Sequence, residues 1–308
     1  MKNFIRIICG ASLTLGILTV AFICLSTSAA DKEKKNDGKK EQAKEYGQAV
    51  FPAEGRIKMD EGTVEAWLAL DYSAKDMMLQ DESIITPMTF FSLIEKERLI
   101  RAEEKDKKDG GGKDDYSGNE AEMNLKTQQG RALSNSIKYH CNLFRLERGK
   151  TVVKGVTMGL DEVEWKEKEW YFIAIAWKKT ETGYDAYMYI NGKKKEQSFD
   201  KEETVKFPKT MKEHLISIGS FRNAKGSVEA LRISGKFKTD VELEADMKAG
   251  LAKDDSTLFL FDSSLISAMK KARQADLGKN TQVTDKGLFI GPYKTIAGKH
   301  GKAVQFHE

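Results

Sequence analysis

The sequence predicts an all-β chain of two stacked antiparallel sheets, with one or two short helices near the C-terminus. Three observations carry that expectation. Apolar residues recur mostly with a period of two, as in half-buried strands, rather than 3.6. Turn-forming residues separate these runs into short segments. Only 4 prolines occur in 308 residues, so few strands need be interrupted.

Taken in order, the first thirty residues read as a secretory signal peptide, 1–30. Lys2 and Arg6 form a positive start, Ile7 to Leu25 an apolar stretch, and Ser28-Ala29-Ala30 a small-residue exit before Asp31. The chain is therefore expected to be exported, to the periplasm, the cell surface or the medium, with no membrane span after cleavage. Ala21-Phe22-Ile23 before Cys24 is too bulky for a bacterial lipidation site. N-terminal sequencing of exported protein should find Asp31 first. A start at Met1 in a membrane fraction would overturn this reading.

Cleavage also sets the cysteine chemistry. Cys9 and Cys24 leave with the signal, and Cys141 alone remains. One cysteine makes neither an internal disulfide nor a thiolate zinc site. Cys141 lies in the alternating run Ile137–Leu146, and its neighbour His140 should point to the opposite face, against a Cys–His dyad.

Residues 31–45 hold eleven charges in fifteen positions and are read as a disordered linker. A second charged stretch, about 101–118, contains Gly110-Gly111-Gly112 and is read as a mobile insertion within the domain. Strands are expected over Thr63–Leu70, Ile137–Leu146, Trp170–Trp177, Tyr184–Ile190, Leu215–Ile218 and Val228–Ile233. A helix is expected over Val241–Leu251, behind Thr239-Asp240, and a second over Ser263–Leu277.

One hairpin can be placed to the residue. A four-residue loop at Thr180–Gly183 pairs Trp177 with Ala186, Ile175 with Met188 and Ile173 with Ile190, all on one face. The same register sets Ala176 opposite Tyr187 and Ala174 opposite Tyr189 on the other face. A slip by one residue would mix the two sets. Asn191-Gly192 then turns the chain back.

This block resembles the concanavalin A-like superfamily, and within it the laminin-G-like jelly roll. The likeness rests on Trp170-Tyr171-Phe172-Ile173-Ala174-Ile175-Ala176-Trp177 followed by Tyr187-Met188-Tyr189-Ile190-Asn191-Gly192. Gly62-Thr63-Val64-Glu65-Ala66-Trp67-Leu68 upstream, and Ile218-Gly219-Ser220 and Gly226–Ile233 downstream, extend it to about residues 46–250. The resemblance implies a two-sheet antiparallel jelly-roll sandwich, a fold used outside cells to bind carbohydrate or protein. It implies no single activity, because the fold hosts lectins, hydrolases, lyases and adhesion modules. Residues 251–308 resemble the beginning of such a module, through Thr257–Ser264 and Gly298–Phe306. They either complete the one sandwich or start a second.

Composition excludes some functions. With 51 Lys+Arg against 47 Asp+Glu, net +4, the chain lacks the one-sided basic character of a nucleic-acid binder. The glucanase pattern Glu-x-Asp-x-x-Glu is absent, and Glu162 with Glu164 comes nearest, in a solvated stretch. His140, His214, His300 and His307 are scattered, so no metal site is indicated. No nucleophile elbow or phosphate loop occurs. Asp114, Asp115, Ser117 and Asn119 have oxygen ligands of the kind calcium takes, but in so Gly- and Lys-rich a loop solvation is the simpler reading. No cofactor and no catalytic residue is assigned.

The expected function is that of an exported, non-catalytic module binding carbohydrate or an envelope or extracellular protein. Two alternatives stand beside it: a polysaccharide-active hydrolase or lyase, and a structural or adhesive domain of an envelope assembly. The ligand-binding candidates are Tyr187 and Tyr189, whose rings face small Ala174 and Ala176 and would suit the apolar face of a sugar.

Overall fold

In a computed structural model of the chain, the described residues are 47–71, 88–96, 122–129, 137–148, 151–160, 166–181, 184–199, 210–219, 226–273, 276–277 and 281–307. The stretches read above as a signal peptide (1–30), a linker (31–45) and an insertion (about 101–118), with the Asp114–Asn119 group and the Glu162/Glu164 pair, all lie outside them.

The described residues form two mainly antiparallel sheets that stack as a β-sandwich. The first contains β1 (Gln48–Pro52), β3 (Met88–Glu95), β4 (Glu122–Gln129), β5 (Ile137–Arg148), β6 (Thr151–Leu160), β10 (His214–Gly219), β13 (Lys270–Ala272) and β14 (Leu288–Ile290). Its order is β13-β14-β1-β10-β3-β4-β5-β6. The second contains β2 (Glu61–Leu70), β7 (Trp170–Lys179), β8 (Tyr184–Ile190), β9 (Lys193–Phe199), β11 (Gly226–Ser234), β12 (Thr257–Asp262), β15 (Lys294–Ala297) and β16 (Lys302–Gln305). Its order is β15-β16-β11-β2-β7-β8-β9, with β12 also beside β11.

The hairpin register read from the sequence is the one observed, from Ile173 opposite Ile190 to Trp177 opposite Ala186. Asn191 (φ 45°) and Gly192 (φ 88°) make the tight turn into β9. Trp177 is fully buried, and its indole lies over Gly62 of the neighbouring β2. A Cβ on Gly62 would come within 2.4 Å of that ring, so only glycine fits beneath it.

Between the sheets, aromatic rings interlock. Phe51 of β1 packs on Phe259 of β12 at 4.8 Å, and Phe289 of β14 stacks on Phe306 at 6.0 Å. Several of these rings come from the tail. Residues 257–306 supply β12 and β16 beside β11, and β14 beside β1. A chain ended at Gly250 would leave Phe51 and the edge of β11 bare. It should lose its cooperative thermal transition, measured by near-ultraviolet circular dichroism; a sharp melt near that of the full chain would show the tail to be an appendage.

One helix expectation holds and one does not. α1 (Asp240–Ala249) begins at Thr239, whose side chain accepts from the backbone N–H of Glu242 while the Glu242 side chain accepts from Thr239 N–H. Over Ser263–Leu277, by contrast, there is a 3-10 turn at Leu265–Ala268 followed by β13, which runs parallel to β14. Pairing with a neighbouring strand overrides the local helical pattern there.

Among the described residues, the outer face is also covered around β1, β10 and β14 in the first sheet and over β2, β7, β8 and β11 in the second. On the first, Val50, Leu215, Leu288 and Ile290 pack with Leu277 and Val283 from the tail. On the second, α1 and its flanking turns lie over the strands. The strands are accordingly buried along their length: Gly62–Leu70 in β2 and all of β10 and β11. A sheet covered on both faces shows no wet side.

Candidate functional site

The outer face of the second sheet carries the aromatic residues that the sequence singles out. Tyr187 and Tyr189 do project there, away from Ile175 and Met188, yet they are only 2% and 3% exposed. This corrects the expectation of an open platform. Tyr187 Oη donates to the Lys238 carbonyl, its ring meets Phe237 edge-on at 5.3 Å, and Lys194 Nζ sits 4.6 Å from the ring centre. Tyr189 packs edge-on to Phe172 at 6.0 Å. Burial, with Glu244 of α1 nearby, pushes its phenol upward. Small Ala174 and Ala176 do leave room, and the chain's own 235–250 segment fills it. Replacing both tyrosines by alanine should therefore cost at least about 3 kcal/mol in stability. Unchanged denaturant midpoints would mean that the segment does not rest on those rings.

Beside the tyrosines lies a buried ionic cluster. Glu65 sits at the centre of β2 and Arg232 opposite it in β11. Arg232 Nη2 and Nε donate to the two Glu65 carboxylate oxygens, each at 2.9 Å, and neither side chain is more than 2% exposed. The fork also reaches outward: Nη1 donates to the Ala252 carbonyl at 2.7 Å and lies 3.3 Å from Asp254, and Nη2 pairs with Asp246 of α1. Lys238, 3% exposed, lies 2.9 Å from Asp246 Oδ2, 2.9 Å from Asp254 Oδ2 and 3.4 Å from Glu65 Oε2.

This cluster is one means by which α1 is held. The helix buries Leu243 fully and packs Met247 partly against the core, and the ion pairs add to these apolar contacts. Thr63 completes the seam: its hydroxyl donates to the Lys236 carbonyl at 2.7 Å and accepts from Lys238 N–H at 3.0 Å. Desolvation is the largest influence on Glu65 and pushes its carboxyl up to about 7, against the lowering effect of Arg232 and Lys238. Burial also acts on Arg232 and Lys238, but their carboxylate partners more than offset it and hold both cations charged. Asp254 is likewise lifted by burial, yet Lys238, Ser256 and Thr257 donate to it and keep it well below the usual carboxylate range.

At the edge of the same face, Trp67 meets Phe172 at 5.5 Å and His300 at 5.1 Å. Glu229 accepts from the backbone N–H groups of Lys299 (2.8 Å) and His300 (2.6 Å), fixing the 298–301 turn that carries His300. Elsewhere, His307 and Gln305 contact Asp71 at the end of β2. His140 and Cys141 are consecutive in β5, paired with different residues of β6, Gly159 and Met158. His214 lies in β10, opposite Glu95 of β3, so the four histidines stay dispersed. No group of three or more His, Cys, Asp or Glu suited to a metal occurs among the described residues.

Sequence reading passed over Glu65, Arg232 and Lys238. In Val64-Glu65-Ala66 and Leu231-Arg232-Ile233 each charge alternates with apolar residues, as on a solvated strand face. The signal that was present is the company they keep: Trp67 and Ala69 share the Glu65 side of β2, which is an apolar row with one acid.

No family model matches the chain. No curated protein matches it either.

Proposed function

We propose that the chain is an exported, non-catalytic binding module of the concanavalin A-like, laminin-G-like jelly-roll type. Its partner is a carbohydrate or a protein of the cell envelope or extracellular space, met on a surface other than the Tyr187/Tyr189 face. One observation carries this reading: the sheet face that offers aromatic rings and charged groups is sealed by the chain's own helix. Its buried acid and bases are consumed in that seal. Glu65, whose raised carboxyl would suit acid–base chemistry, is held bidentately by Arg232 and has no exposed surface. The signal-like N-terminus and the charged spacer support a module displayed outside the cytoplasm.

The test is a glycan array probed with the chain from Asp31 onward, run beside reducing-end and unsaturated-product assays on the polysaccharides that bind. Binding without turnover is the expected result. Release of reducing ends or unsaturated products would replace the module with the hydrolase or lyase alternative.

A further inference from the structure

Charge is not evenly spread along the chain. Residues 263–308 hold eight of its 51 Lys and Arg but only three of its 47 Asp and Glu, so the nearly balanced total conceals a basic tail. The fold sets that tail along one side of the sandwich. β13 ends the first sheet and β15 ends the second, and Gly291-Pro292-Tyr293 leads from β14, beside β13, directly into β15. Lys270 and Lys271 of β13, Lys294 of β15, Lys302 of β16, and Lys286 and Lys299 of the adjoining turns are exposed there.

These cations differ from others on the surface. Lys96 pairs with Glu213, Lys179 with Asp60, Lys236 with Glu242 and Lys248 with Glu244. At the tail edge only Arg273 has such a partner among the described residues, in Asp276, and Lys270, Lys286, Lys294, Lys299 and Lys302 have none. Lys271 Nζ lies 4.4 Å from the ring centre of Tyr293 and 4.9 Å from that of Phe289, which places an aromatic group within the patch.

We propose that this edge, built from β13, β15, β16 and their turns, is a contact surface for an acidic polysaccharide, a linear glycan bearing carboxylate or sulfate groups. This ligand class presupposes the exported binding module proposed above. Lysines are point charges on flexible stems, suited to anions spaced along a polymer, whereas the planar fork best matched to phosphate occurs here only in Arg273, which Asp276 occupies. The large apolar side chains exposed among the described residues are Val241 and Tyr293, too few to stack a series of bases or to enter a bilayer. The Tyr293 phenol and the Thr295 hydroxyl, both on exposed residues, can bond sugar hydroxyls.

The test measures binding of the full chain from Asp31 to alginate and to dextran sulfate, with neutral dextran, duplex DNA and phosphatidylserine vesicles beside them. An acidic glycan should bind, neutral dextran should not, and added salt should weaken the complex. Lys270→Gln with Lys294→Gln and Lys302→Gln should lower the affinity about tenfold. Lys58→Gln with Lys178→Gln and Lys212→Gln, which removes the same charge elsewhere, should leave it unchanged. Bound glycan should also shield Lys270, Lys294 and Lys302 from acetylation in the wild-type chain, a reading that needs no substitution. Failure to bind either acidic glycan overturns the proposal, as does tighter binding to DNA or vesicles. Equal losses in the two triple variants, or no shielding, would leave these lysines as guards of two open strand edges. If the glycan array shows neutral glycans alone, this edge is overturned while the binding module stands.

Discussion

Arg232→Met should lower the stability of the protein by about 3–5 kcal/mol, because it strands a buried carboxylate. Glu65 would lose both donors of its bidentate pair at a position with no access to water. Asp246 and Asp254 would lose a cation as well, and Ala252 the donor to its carbonyl. The measurement is urea unfolding at pH 7.5. A double variant, Arg232→Met with Glu65→Gln, should recover part of the loss, since no charge then remains stranded in the sheet. Equal costs for the single and double variants would show that the pair is not the source of the effect. A loss within about 0.5 kcal/mol would place Arg232 among ordinary surface residues.

Trp177→Ala is the second large effect, again about 3–5 kcal/mol, but for a different reason. The indole is fully buried, shares its face with Ile173, Ile175 and Met188, and occupies the space that Gly62 leaves open. Truncation leaves a cavity walled on one side by a glycine, which has no side chain to relax into it. Thermal and urea midpoints should both fall. Gly62→Ala should be damaging on its own, because its methyl would collide with the same ring. If Gly62→Ala were harmless while Trp177→Ala was not, the two would not be in contact.

The β7–β8 hairpin was legible to the residue because both of its faces carry distinct chemistry. Large aliphatic residues lie on one side and tyrosines against alanines on the other, and no shifted register preserves both. The start of α1 was legible too, since a Thr with a Glu three residues later is a local signal. The burial of Tyr187 and Tyr189 was not legible. What covers them is Phe237, the Lys238 carbonyl and α1, about fifty residues further along, and no pattern within the strand reports a distant lid. Glu65 and Arg232 eluded the reading for a related reason. Alternation distinguishes the two faces of a strand but is silent on whether the second face is wet. The missing second helix is a third case: residues 270–272 have a helical composition, and their strand state is imposed by β14.

The order in which the strands are joined also has a kinetic side. β1 lies between β10 and β14, so residues near position 50 pair with residues near 218 and 289. β11 similarly gains its outer neighbours only from residues 257–262 and 304–305. Loops of that length must close before the pairings can repay their entropy, and such long-range connectivity makes folding slow. Neither sheet reaches its full width until the C-terminal segment has been synthesised. Until those residues are made, β1 lacks its partner β14 and β11 lacks β12 and β16.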